Sequence, residues 1–261
     1  MINSLLNKAA VITGASTGIG AQTAKELSAL GCKVIPVARN KEKLASLKSE
    51  IIKQGGLAET YAGDVTKYET LTESIELCLS TFGRFDFLIN NAGLIDPISK
   101  LATSDPLAWC QAADTNYKGV YFGLRAALPV MQQQGHGVIV NISSGAAVSS
   151  LEGWSHYCSS KAAALSLTKC AHKEYAEDGI TIVGLSPGTV ATHMQTAIKK
   201  SGLNPVSKLD PSVHISPTIP ALAIAWLCAG NGARYAGADF SLKEDGNIAM
   251  VEKTFAKHSA A

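Results

Sequence analysis

A glycine-rich turn near the N-terminus constrains the fold more than any other stretch of the chain. Residues 8–13 form a short apolar run, the sequence Gly14-Ala-Ser-Thr-Gly18-Ile-Gly20 follows, and a helical stretch then continues to Leu30. Glycine lets a phosphate approach the backbone closely, and a helix N-terminus offers it free N–H groups and a positive dipole. This order predicts a dinucleotide site, although the glycines could also merely turn the chain.

Strand-like and helix-like segments alternate along the rest of the chain. Short apolar runs predict strands, and longer amphipathic stretches predict helices. The predicted strands cover 8–13, 33–38, 57–62, 85–89, 138–142, 180–185 and part of 235–242. One predicted helix follows the glycine turn and ends near residue 30. The others cover 41–54, 67–82, 106–134, 155–178 and 218–228. The alternation predicts a doubly wound α/β fold, in which a parallel seven-stranded sheet carries helices on both faces.

Pro36 lies inside the second predicted strand. Proline has no N–H and cannot donate to the hydrogen-bond ladder of an interior strand. We therefore expect a local bulge or a lost hydrogen bond at this position.

Length and composition fit one domain with a full hydrophobic core. The chain has 261 residues, 46% of them hydrophobic, and we predict a single domain over 1–261. A formal net charge of +2 without a basic run argues against nucleic acid as a partner. No apolar run reaches the roughly 18 residues of a membrane span, and the first eight residues do not resemble a signal peptide. The six scattered cysteines predict neither zinc nor disulfides and favour the reducing cytoplasm.

The stretch after the fifth predicted strand combines three reactive types of side chain. The strand ends at Ser143 and Ser144, and open α/β sheets bind ligands at the carboxyl ends of their strands. Tyr157 and Lys161 are four residues apart, which places a phenol and an ammonium on one face of a helix. A hydroxyl, a phenol and a lysine can together hold and protonate a carbonyl oxygen.

These motifs together resemble the short-chain dehydrogenase/reductase family, in its single-domain branch. The glycine turn resembles the family's Thr-Gly-x-x-x-Gly-x-Gly, and Asn90-Asn-Ala-Gly93 resembles its Asn-Asn-Ala-Gly, whose asparagines tie neighbouring strands. Pro187-Gly-Thr-Val-Ala-Thr192 resembles its Pro-Gly-x-x-x-Thr. The resemblance covers about residues 8–242 and implies the strand order 3-2-1-4-5-6-7 and an oxidoreductase that uses a nicotinamide cofactor.

The resemblance implies that several loops hold this cofactor. In the family, an aspartate matching Asp64 receives the adenine amino group, Val65 lines the adenine pocket, and Thr192 reaches the carboxamide of the nicotinamide. Asp64 and Thr192 could also only cap the helices that follow them. The implied cofactor-binding set is Gly14, Ser16, Thr17, Gly18, Ile19, Gly20, Arg39, Asp64, Val65, Asn91, Ala92, Gly93, Tyr157, Lys161, Pro187, Gly188, Val190 and Thr192.

The residue that ends the second strand bears on the choice between NAD and NADP. An acidic residue there would accept a hydrogen bond from the 2′-hydroxyl of NAD, but Ala38 holds the position and Arg39 follows it. Arginine offers a 2′-phosphate a charge-assisted partner. We therefore predict NADP(H) as the cofactor, with a solvated strand-end arginine as the alternative. Thr17 leaves no second basic residue in the glycine turn.

The resemblance implies the catalytic set Asn116, Ser144, Tyr157 and Lys161, without a metal. Ser144, thirteen residues before Tyr157 as in the family, would hold the carbonyl that Tyr157 protonates. We expect the Lys161 ammonium, roughly 5 Å away, to lower the pKa of Tyr157 below the ordinary phenol value of about 10, and to bind the ribose. In the family, the asparagine at 116 kinks its helix and holds a water that links the lysine to solvent. Judged by residue type alone, Asn116 could be an exposed helix residue.

The substrate end gives weaker signals. The segments 157–161 and 192–195 and the C-terminal tail resemble the benzil reductase and sepiapterin reductase-like branch, which reduces one carbonyl of vicinal diketones. Small or apolar residues near the site favour a bulky apolar ketone, namely Ala146, Ala147, Val148 and Trp154. His156 and His193 could line the substrate mouth, and we interpret Cys158 as a buried structural thiol. The irregular, polar segment 193–217 predicts a mobile substrate lid.

We therefore predict an NADPH-dependent carbonyl reductase that acts on a ketone or a vicinal diketone. We expect a cytoplasmic homodimer or homotetramer, although Glu244-Asp-Gly-Asn247 replaces the Asp-Gly-Gly ending of many family members and weakens the case for a tetramer joined through the C-termini. One alternative is an alcohol or sugar dehydrogenase that works oxidatively with NAD(P). Another is a non-catalytic dinucleotide sensor, against which the presence of Tyr157 and Lys161 argues.

Overall fold

Seven short strands form one parallel sheet. The computed structural model describes residues 2–256, and its strands are β1 (Ala9–Thr13), β2 (Lys33–Ala38), β3 (Tyr61–Ala62), β4 (Phe87–Asn90), β5 (Gly137–Ile142), β6 (Ile180–Ser186) and β7 (Asp239–Ser241). Their order in the sheet is β3-β2-β1-β4-β5-β6-β7, and all neighbours pair in parallel. The predicted sheet and its strand order are confirmed.

Helices cover both faces of this sheet. They are α1 (Gly18–Ala29), α2 (Lys41–Lys53), α3 (Tyr68–Phe82), α4 (Pro106–Ala113), α5 (Gly119–Gln134), α6 (Ser155–Tyr175), α7 (His193–Ser201), α8 (Thr218–Cys228) and α9 (Asn247–Ala256). Side chains of α1, α2, α8 and α9 pack on one face, and those of α3, α5 and α6 pack on the other. Successive strand residues alternate between the two cores: Ala10 and Ile12 face the first, and Ala9 and Val11 the second. Such doubly buried, continuously apolar strands are typical of parallel sheets.

Pro36 explains why β3 is shorter than the predicted strand at 57–62. On the side of β1 the register runs through Pro36 without a bulge. On the side of β3, Val34 pairs with Ala58 in an isolated bridge, and continuous pairing resumes only at Tyr61. Proline lacks the N–H that would continue the ladder between these two points. The expected lost hydrogen bond is therefore present, and the expected bulge is not.

The predicted helix at 106–134 is two helices joined by a π-helical turn. Helix α4 ends at Ala113, the π turn covers Asp114–Lys118, and α5 continues from Gly119. A π turn inside a helix is rare and is frequent at functional sites. The π turn contains Asn116, where the family resemblance implies a kink.

Two C-terminal elements differ from the predictions. The segment 193–217, predicted as irregular, begins with helix α7 and continues with 3-10 turns at Pro205–Lys208 and Pro211–Val213. Helix α9 was not predicted at all, and its Val251 and Phe255 are buried in the core that α8 shares.

Buried amides join the middle strands to the helices behind them. Asn90 Nδ2 donates to Asn141 Oδ1 at 2.9 Å, and Asn141 Nδ2 donates to Thr168 Oγ1 at 2.9 Å. A Cβ atom added at Gly123 of α5 would lie 2.2 Å from Asn90 Oδ1. The predicted role in tying neighbouring strands is confirmed for Asn90, which joins β4 to β5 and requires glycine at 123.

An ion cluster closes the amino-terminal edge of the sheet. The Asp86 side chain is 2% exposed. It accepts hydrogen bonds from Ala9 N at 2.9 Å, Lys8 Nζ at 3.0 Å and Arg84 Nε at 2.6 Å. Burial raises the pKa of this carboxyl, but the hydrogen bonds from Arg84, Ala9 and Lys8 outweigh burial and hold the pKa at about 2. The cluster lies at the end of β4 opposite to Asn90.

Candidate active site

The turn between β1 and α1 packs directly on the loop after β4. Gly14 and Gly18 have left-handed backbone angles, with φ of +65° and +58°. A Cβ atom at Gly14 would lie 2.6 Å from Ala92 Cα, and one at Gly20 would lie 2.5 Å from Asn91 Nδ2. Glycine is therefore required here both by the backbone angles and by the close approach of the two loops.

Thr13 and Asn91 hold these two loops in register. Thr13 Oγ1 accepts from the backbone N–H groups of Asn91 at 3.0 Å and Ala92 at 3.1 Å. Asn91 Nδ2 donates to the carbonyls of Thr13 at 2.9 Å and Gly14 at 3.2 Å. The side chains of both strand ends thus fix the floor of the adjoining cleft.

A cleft of about 720 Å³ runs along the carboxyl edge of the sheet. The predicted site residues that line it are Gly14, Ser16, Thr17, Gly18, Ile19, Arg39, Asp64, Val65, Asn91, Ala92, Gly93, Ser144, Tyr157, Lys161, Pro187, Gly188, Val190 and Thr192. Gly20 is not among the lining residues, because it packs behind the turn against Asn91. Asn116 lies beneath the cleft and is fully buried. The structure therefore brings the loops that follow six strands, β1 to β6, together at one site.

One end of the cleft lies where β2 and β3 finish. Arg39 is exposed there, and among residues 2–256 its guanidinium has no hydrogen-bond or ion-pair partner. Asp64 Oδ1 accepts from Thr66 N at 3.0 Å, whereas the residue that begins α3 as its N-cap is Lys67. Asp64 thus stabilises its own turn rather than capping the helix, and it still lines the cleft.

The turn after β6 forms the opposite wall. Gly188 has a φ of +74°, and a Cβ added to it would lie 3.3 Å from Lys243 Cγ. Lys243 lines the cleft and was not among the predicted residues. Thr192 occupies the N-cap position of α7 without a side-chain capping hydrogen bond, and its methyl carbon faces Gly18. The contact of Thr192 with a carboxamide stays a prediction.

Ser144, Tyr157 and Lys161 meet at the centre of the cleft. Ser144 follows β5, and Tyr157 and Lys161 lie one turn apart near the start of α6. The Ser144 hydroxyl lies close enough to the Tyr157 phenol to act on its pKa as a hydrogen-bond donor, and it accepts a hydrogen bond from Ala146 N at 3.2 Å. Lys161 Nζ lies 5.7 Å from the centroid of the Tyr157 ring. The three side chains predicted from spacing therefore share one site.

The expected downward shift of the Tyr157 pKa is wrong for this structure. Burial raises the pKa of Tyr157 to about 12, and the hydrogen bond from Ser144 opposes burial only in part. The phenol is 8% exposed, so that its charged form would lose most of its hydration. Lys161 Nζ donates to the carbonyl of Ile142 at 2.6 Å, which directs part of its charge away from the phenol.

Lys161 is itself shifted by burial. Its side chain lies in the interior, and burial lowers its pKa from 10.5 to about 8, while the charge of Asp239 opposes this change. With one N–H bonded to Ile142, the ammonium has two donors left.

Asp239 is a site residue that the sequence analysis missed. It lies on β7 opposite Gly184, and Ser186 Oγ donates to its Oδ2 at 2.6 Å. Burial raises its pKa, and the hydroxyls of Ser186 and Ser143 oppose that rise. Ser143, the alternative to Ser144, lies near Asp239, and its buried hydroxyl makes no hydrogen bond among residues 2–256. Only the pairing of β7 with β6 brings these groups together, and no spacing along the chain signals it.

Asn116 connects the π turn to the loop after β4. Its Oδ1 accepts from Leu94 N at 2.8 Å, and its Nδ2 donates to Leu94 O at 2.8 Å. The side chain is 0% exposed, so the alternative of an exposed helix residue is wrong. Asn116 thus fixes the loop that includes Gly93. A Cβ atom added at Gly93 would lie 3.2 Å from Asn116 Oδ1. The water at this position stays a prediction.

The end of the cleft beyond Tyr157 is apolar. A cluster of hydrophobic side chains from the loop after β4, the start of α6 and the segment 193–217 surrounds it. Its members that line the cleft are Ile95, Ala146, Leu151, Trp154, Met194, Ala197, Ile198 and Val206. The apolar wall predicted near Ser144 is therefore present, mostly from residues that the sequence analysis had not named.

Three predicted neighbours are placed differently. Ala147 and Val148 do not line the cleft, and Val148 is 81% exposed. His156 is buried and its Nε2 lies 2.7 Å from Ile95 O, so it supports the loop after β4 rather than lining the mouth. Burial lowers the pKa of His156, which favours the neutral ring, with its Nε2–H donating to that carbonyl. His193 does line the cleft.

Residues 2–256 contain neither a metal-binding cluster nor a membrane-spanning helix. No three His, Cys, Asp or Glu side chains there are placed to hold a metal ion. None of the helices there combines the length and the hydropathy that a membrane span requires.

Comparison with known proteins gives one family match. The model of the short chain dehydrogenase family matches residues 8–202 of this chain. An uncharacterized oxidoreductase of Staphylococcus saprophyticus is 38% identical over 219 residues, which cover 84% of this chain and 92% of that protein. The cyclohexanol dehydrogenase of an Acinetobacter species is 29% identical over 225 residues, which cover 85% of this chain and 90% of that protein.

Solved structures share the same architecture. The structure of levodione reductase superposes with a TM-score of 0.85 at 24% identity and covers 94% of this chain and 98% of its own. The structure of the KRED1-Pglu enzyme superposes with a TM-score of 0.81 at 30% identity and covers 89% of this chain and 100% of its own.

Proposed function

The chain belongs to the short-chain dehydrogenase family, and from this membership we propose that it is an NADPH-dependent carbonyl reductase acting on a ketone or a vicinal diketone. The observation that carries the proposal is the placement of Ser144 beside the buried Tyr157, with Lys161 one helical turn on, in a cleft that ends in an apolar cluster. Family membership gives the coarse activity of an oxidoreductase, and these side chains support its direction and substrate class.

The residues present fit a nicotinamide dinucleotide. Gly14 and Gly18 leave no side chain between the cleft and the first turn of α1. Thr17 makes no side-chain cap there, which leaves the first N–H groups of α1 to a phosphate. Reduced nicotinamide, when bound, supplies the hydride. Asp64 and Val65 would hold the adenine end, and the turn from Pro187 to Thr192 the nicotinamide end.

The chemistry proposed for the chain itself is proton delivery to the carbonyl oxygen. The hydroxyls of Ser144 and Tyr157 both bind that oxygen, and Tyr157 gives up its proton as negative charge develops on it. With the cofactor bound, the two remaining N–H donors of Lys161 would hold its ribose hydroxyls, and the ammonium would favour the phenolate that is left. Tyr157 would then regain its proton from Lys161, which a water at Asn116 would connect to solvent.

Tyr157 is protonated at neutral pH, as the reductive direction requires. A phenol with a pKa of about 12 keeps its proton at pH 7 and so stays a proton donor. Oxidation of an alcohol would need the phenolate, whose population rises with pH. We therefore expect the ratio of the oxidation rate to the reduction rate to increase steadily above pH 7. The alternative of an oxidative dehydrogenase, in line with the name of the Acinetobacter relative, requires an oxidation rate that dominates at neutral pH.

Arg39 supports NADPH over NADH. Its exposed guanidinium lines the cleft where β2 ends, with no partner among residues 2–256, and it can bind a 2′-phosphate. Arg39→Asp is expected to reduce kcat/KM for NADPH by at least tenfold and to leave that for NADH within about threefold, since a charge-assisted hydrogen bond is worth roughly 1.5–3 kcal/mol. Lys41→Asp, at the exposed start of α2, is the control for a general charge effect.

The deciding assay follows NADPH oxidation against diketones, ketoesters and simple ketones, with NADH in parallel. Tyr157→Phe is expected to lower kcat by about 10²–10⁴-fold, which is the usual contribution of a positioned general acid. Retention of most turnover in Tyr157→Phe would remove the proton-donor assignment. An equal preference for NADH would remove the assignment of Arg39.

Further parts of the proposal concern assembly, location and the lid. We expect a cytoplasmic homodimer or homotetramer, and the exposed Leu107, Tyr117 and Tyr121 offer apolar surface for self-association. Sedimentation at several concentrations tests the assembly. The segment 193–217 is proposed to act as the substrate lid, because Met194, Ala197 and Val206 line the apolar end of the cleft.

A further inference from the structure

Trp154 has a polar atom that the structure leaves without a partner. The side chain is 5% exposed, and its Nε1–H is buried with no acceptor among residues 2–256. A buried donor without an acceptor costs free energy, so that such groups are rare and often mark a place where a ligand binds. Trp109 shows the usual arrangement, because its Nε1 donates to Ser155 Oγ at 2.9 Å.

Trp154 stands next to the proton donor. Its ring lines the cleft, and it meets the ring of Tyr157 edge to face, with centroids 5.5 Å apart and planes at 77°. The two side chains belong to one cluster with Ile95, Ala146 and Ile198, all of them apolar. The rings of Tyr157 and Trp154, each of which carries one donor group, are therefore in edge-to-face contact at the apolar end of the cleft.

We propose that the indole N–H of Trp154 is a second substrate donor beside Tyr157, and that the enzyme prefers ketones with a further hydrogen-bond acceptor close to the reacting carbonyl. This inference rests on the proposed ketone reduction and adds to it a specificity-determining residue. Tyr157 and Ser144 bind the oxygen that is reduced, and Trp154 binds the neighbouring acceptor, which is not reduced. A substrate that brings an acceptor to this N–H gains a hydrogen bond, and a substrate without one does not.

The test compares two ketones of nearly the same shape. Benzil carries two adjacent carbonyls, and deoxybenzoin has a methylene in place of one of them. Trp154→Phe keeps an aromatic wall and removes the N–H. We expect it to reduce kcat/KM for benzil about tenfold more than kcat/KM for deoxybenzoin, as one hydrogen bond predicts. Trp109→Phe is the matched control, and its effect on the two substrates is expected to be equal.

The outcomes separate this inference from the proposed function. An equal loss on both substrates in Trp154→Phe would make Trp154 only a wall of the pocket and would overturn the inference, while ketone reduction by the wild type would stand. Failure of the wild-type enzyme to reduce either ketone, or any ketone of the panel, would overturn the proposed function itself.

A measurement on the wild-type enzyme covers the case in which Trp154→Phe does not fold. The chain has three tryptophans, and the indole N–H resonance of Trp154 can be assigned by elimination with Trp109→Phe and Trp226→Phe. With NADP⁺ present, so that no reduction occurs, benzil is expected to shift this resonance downfield and deoxybenzoin to leave it in place. Equal shifts with both ketones would overturn the inference.

Discussion

Lys161 carries its charge in a place that disfavours it. The side chain is 3% exposed, it has one hydrogen bond to Ile142 O, and its pKa falls from 10.5 to about 8. A shift of this size means that holding the proton costs the folded state roughly 3 kcal/mol at neutral pH. The chain keeps this destabilising charge at the residue whose position beside Tyr157 the proposed chemistry needs.

We predict that Lys161→Met removes a pH dependence of stability. Below pH 8 the folded and unfolded wild-type chains both hold the Lys161 proton. Between pH 8 and 10.5 the folded state releases this proton while the unfolded state keeps it. The free energy of unfolding of the wild type therefore increases with rising pH. In urea unfolding, the free energy of unfolding of the wild type minus that of Lys161→Met should therefore increase by up to roughly 3 kcal/mol from pH 8 to 10.5.

Lys169→Met, on the exposed side of α6, is the control. Its difference from the wild type should not change over the same pH range. If the difference between the wild type and Lys161→Met were flat from pH 7 to 10.5, the buried charge would not be the source of the destabilisation.

At the residue scale, spacing along the chain predicted which side chains lie together in the site, but not how burial shifts their pKa values. The four-residue spacing placed Tyr157 and Lys161 on one helix face, and the strand end placed Ser144 beside them. The sign of the Tyr157 pKa shift depends on how deeply the phenol is packed, which spacing does not contain. Asp239 was missed because its neighbour Ser186 is contributed by another strand.

Among the elements, α5 approaches β4 closely because Gly123 has no side chain. The carboxamide of Asn90, which joins β4 to β5, occupies the space where a Cβ at 123 would stand. In an exposed helix, replacing glycine by alanine stabilises the helix by about 1 kcal/mol. Here the side chain would instead collide with the sheet.

We predict that Gly123→Ala destabilises the protein, with the steric cost outweighing the gain in helix propensity. Overpacking of a close-packed core costs about 1–3 kcal/mol, and the new methyl group would lie 2.2 Å from Asn90 Oδ1. Gly145→Ala is the matched control, because a Cβ at that position has no neighbour within 4 Å. Thermal unfolding measures both variants. A Gly123→Ala chain as stable as Gly145→Ala would contradict the close approach.

Element boundaries were predicted best where apolar periodicity alone decides them, as in β2 and α8. They were wrong where one residue changes the local hydrogen bonding. Pro36 interrupts the pairing of β3, and the π turn around Asn116 divides a stretch whose pattern is that of one helix. Helix α9 was not predicted, because the family resemblance covers the chain only to about residue 242.

The whole molecule separates two tasks between the two edges of its sheet. The carboxyl edge carries the cleft, and the amino edge carries the ion cluster around Asp86. Asp86 binds Ala9 of β1 and precedes β4, so that it joins the two central strands at the end away from Tyr157.

We predict that Asp86→Asn lowers stability and leaves catalysis unchanged. The pKa of Asp86 is about 2 in the folded chain and 3.8 as its ordinary value, which corresponds to about 2 kcal/mol of stabilisation above pH 4. This contribution is lost as the pH falls through the folded pKa. The unfolding free energies of wild type and variant should differ by this amount at pH 7 and converge toward pH 2.

Equal kcat and KM of wild type and Asp86→Asn at 25 °C form the second half of this prediction. Glu177→Gln, at the exposed turn after α6, is the control for loss of one negative charge. A stability difference that stayed constant down to pH 2 would place the effect in packing rather than in ionisation.

The overall architecture was predictable because it follows from repetition along the chain. Alternating apolar runs and amphipathic stretches indicate a parallel sheet with two covered faces, and the family motifs supply the strand order. The contacts that build the site from distant loops were less accessible. The approach of Gly14 to Ala92, and the reach of the segment 193–217 over Trp154, arise only when seven strands are assembled.

The π turn at Asp114–Lys118 limits which changes of length the chain tolerates. Such a turn contains one residue more than an α-helical turn, so deleting a single residue there would yield an uninterrupted helix. One residue corresponds to about 100° of rotation about the helix axis. The Asn116 carboxamide would therefore turn away from Leu94 and lose its hydrogen bonds to the Leu94 N–H and carbonyl. When a deletion library is placed under selection, variants with a deletion in this short stretch should therefore be lost, and variants with shortened surface loops should be retained. This is expected even though the deletion would produce the more regular helix.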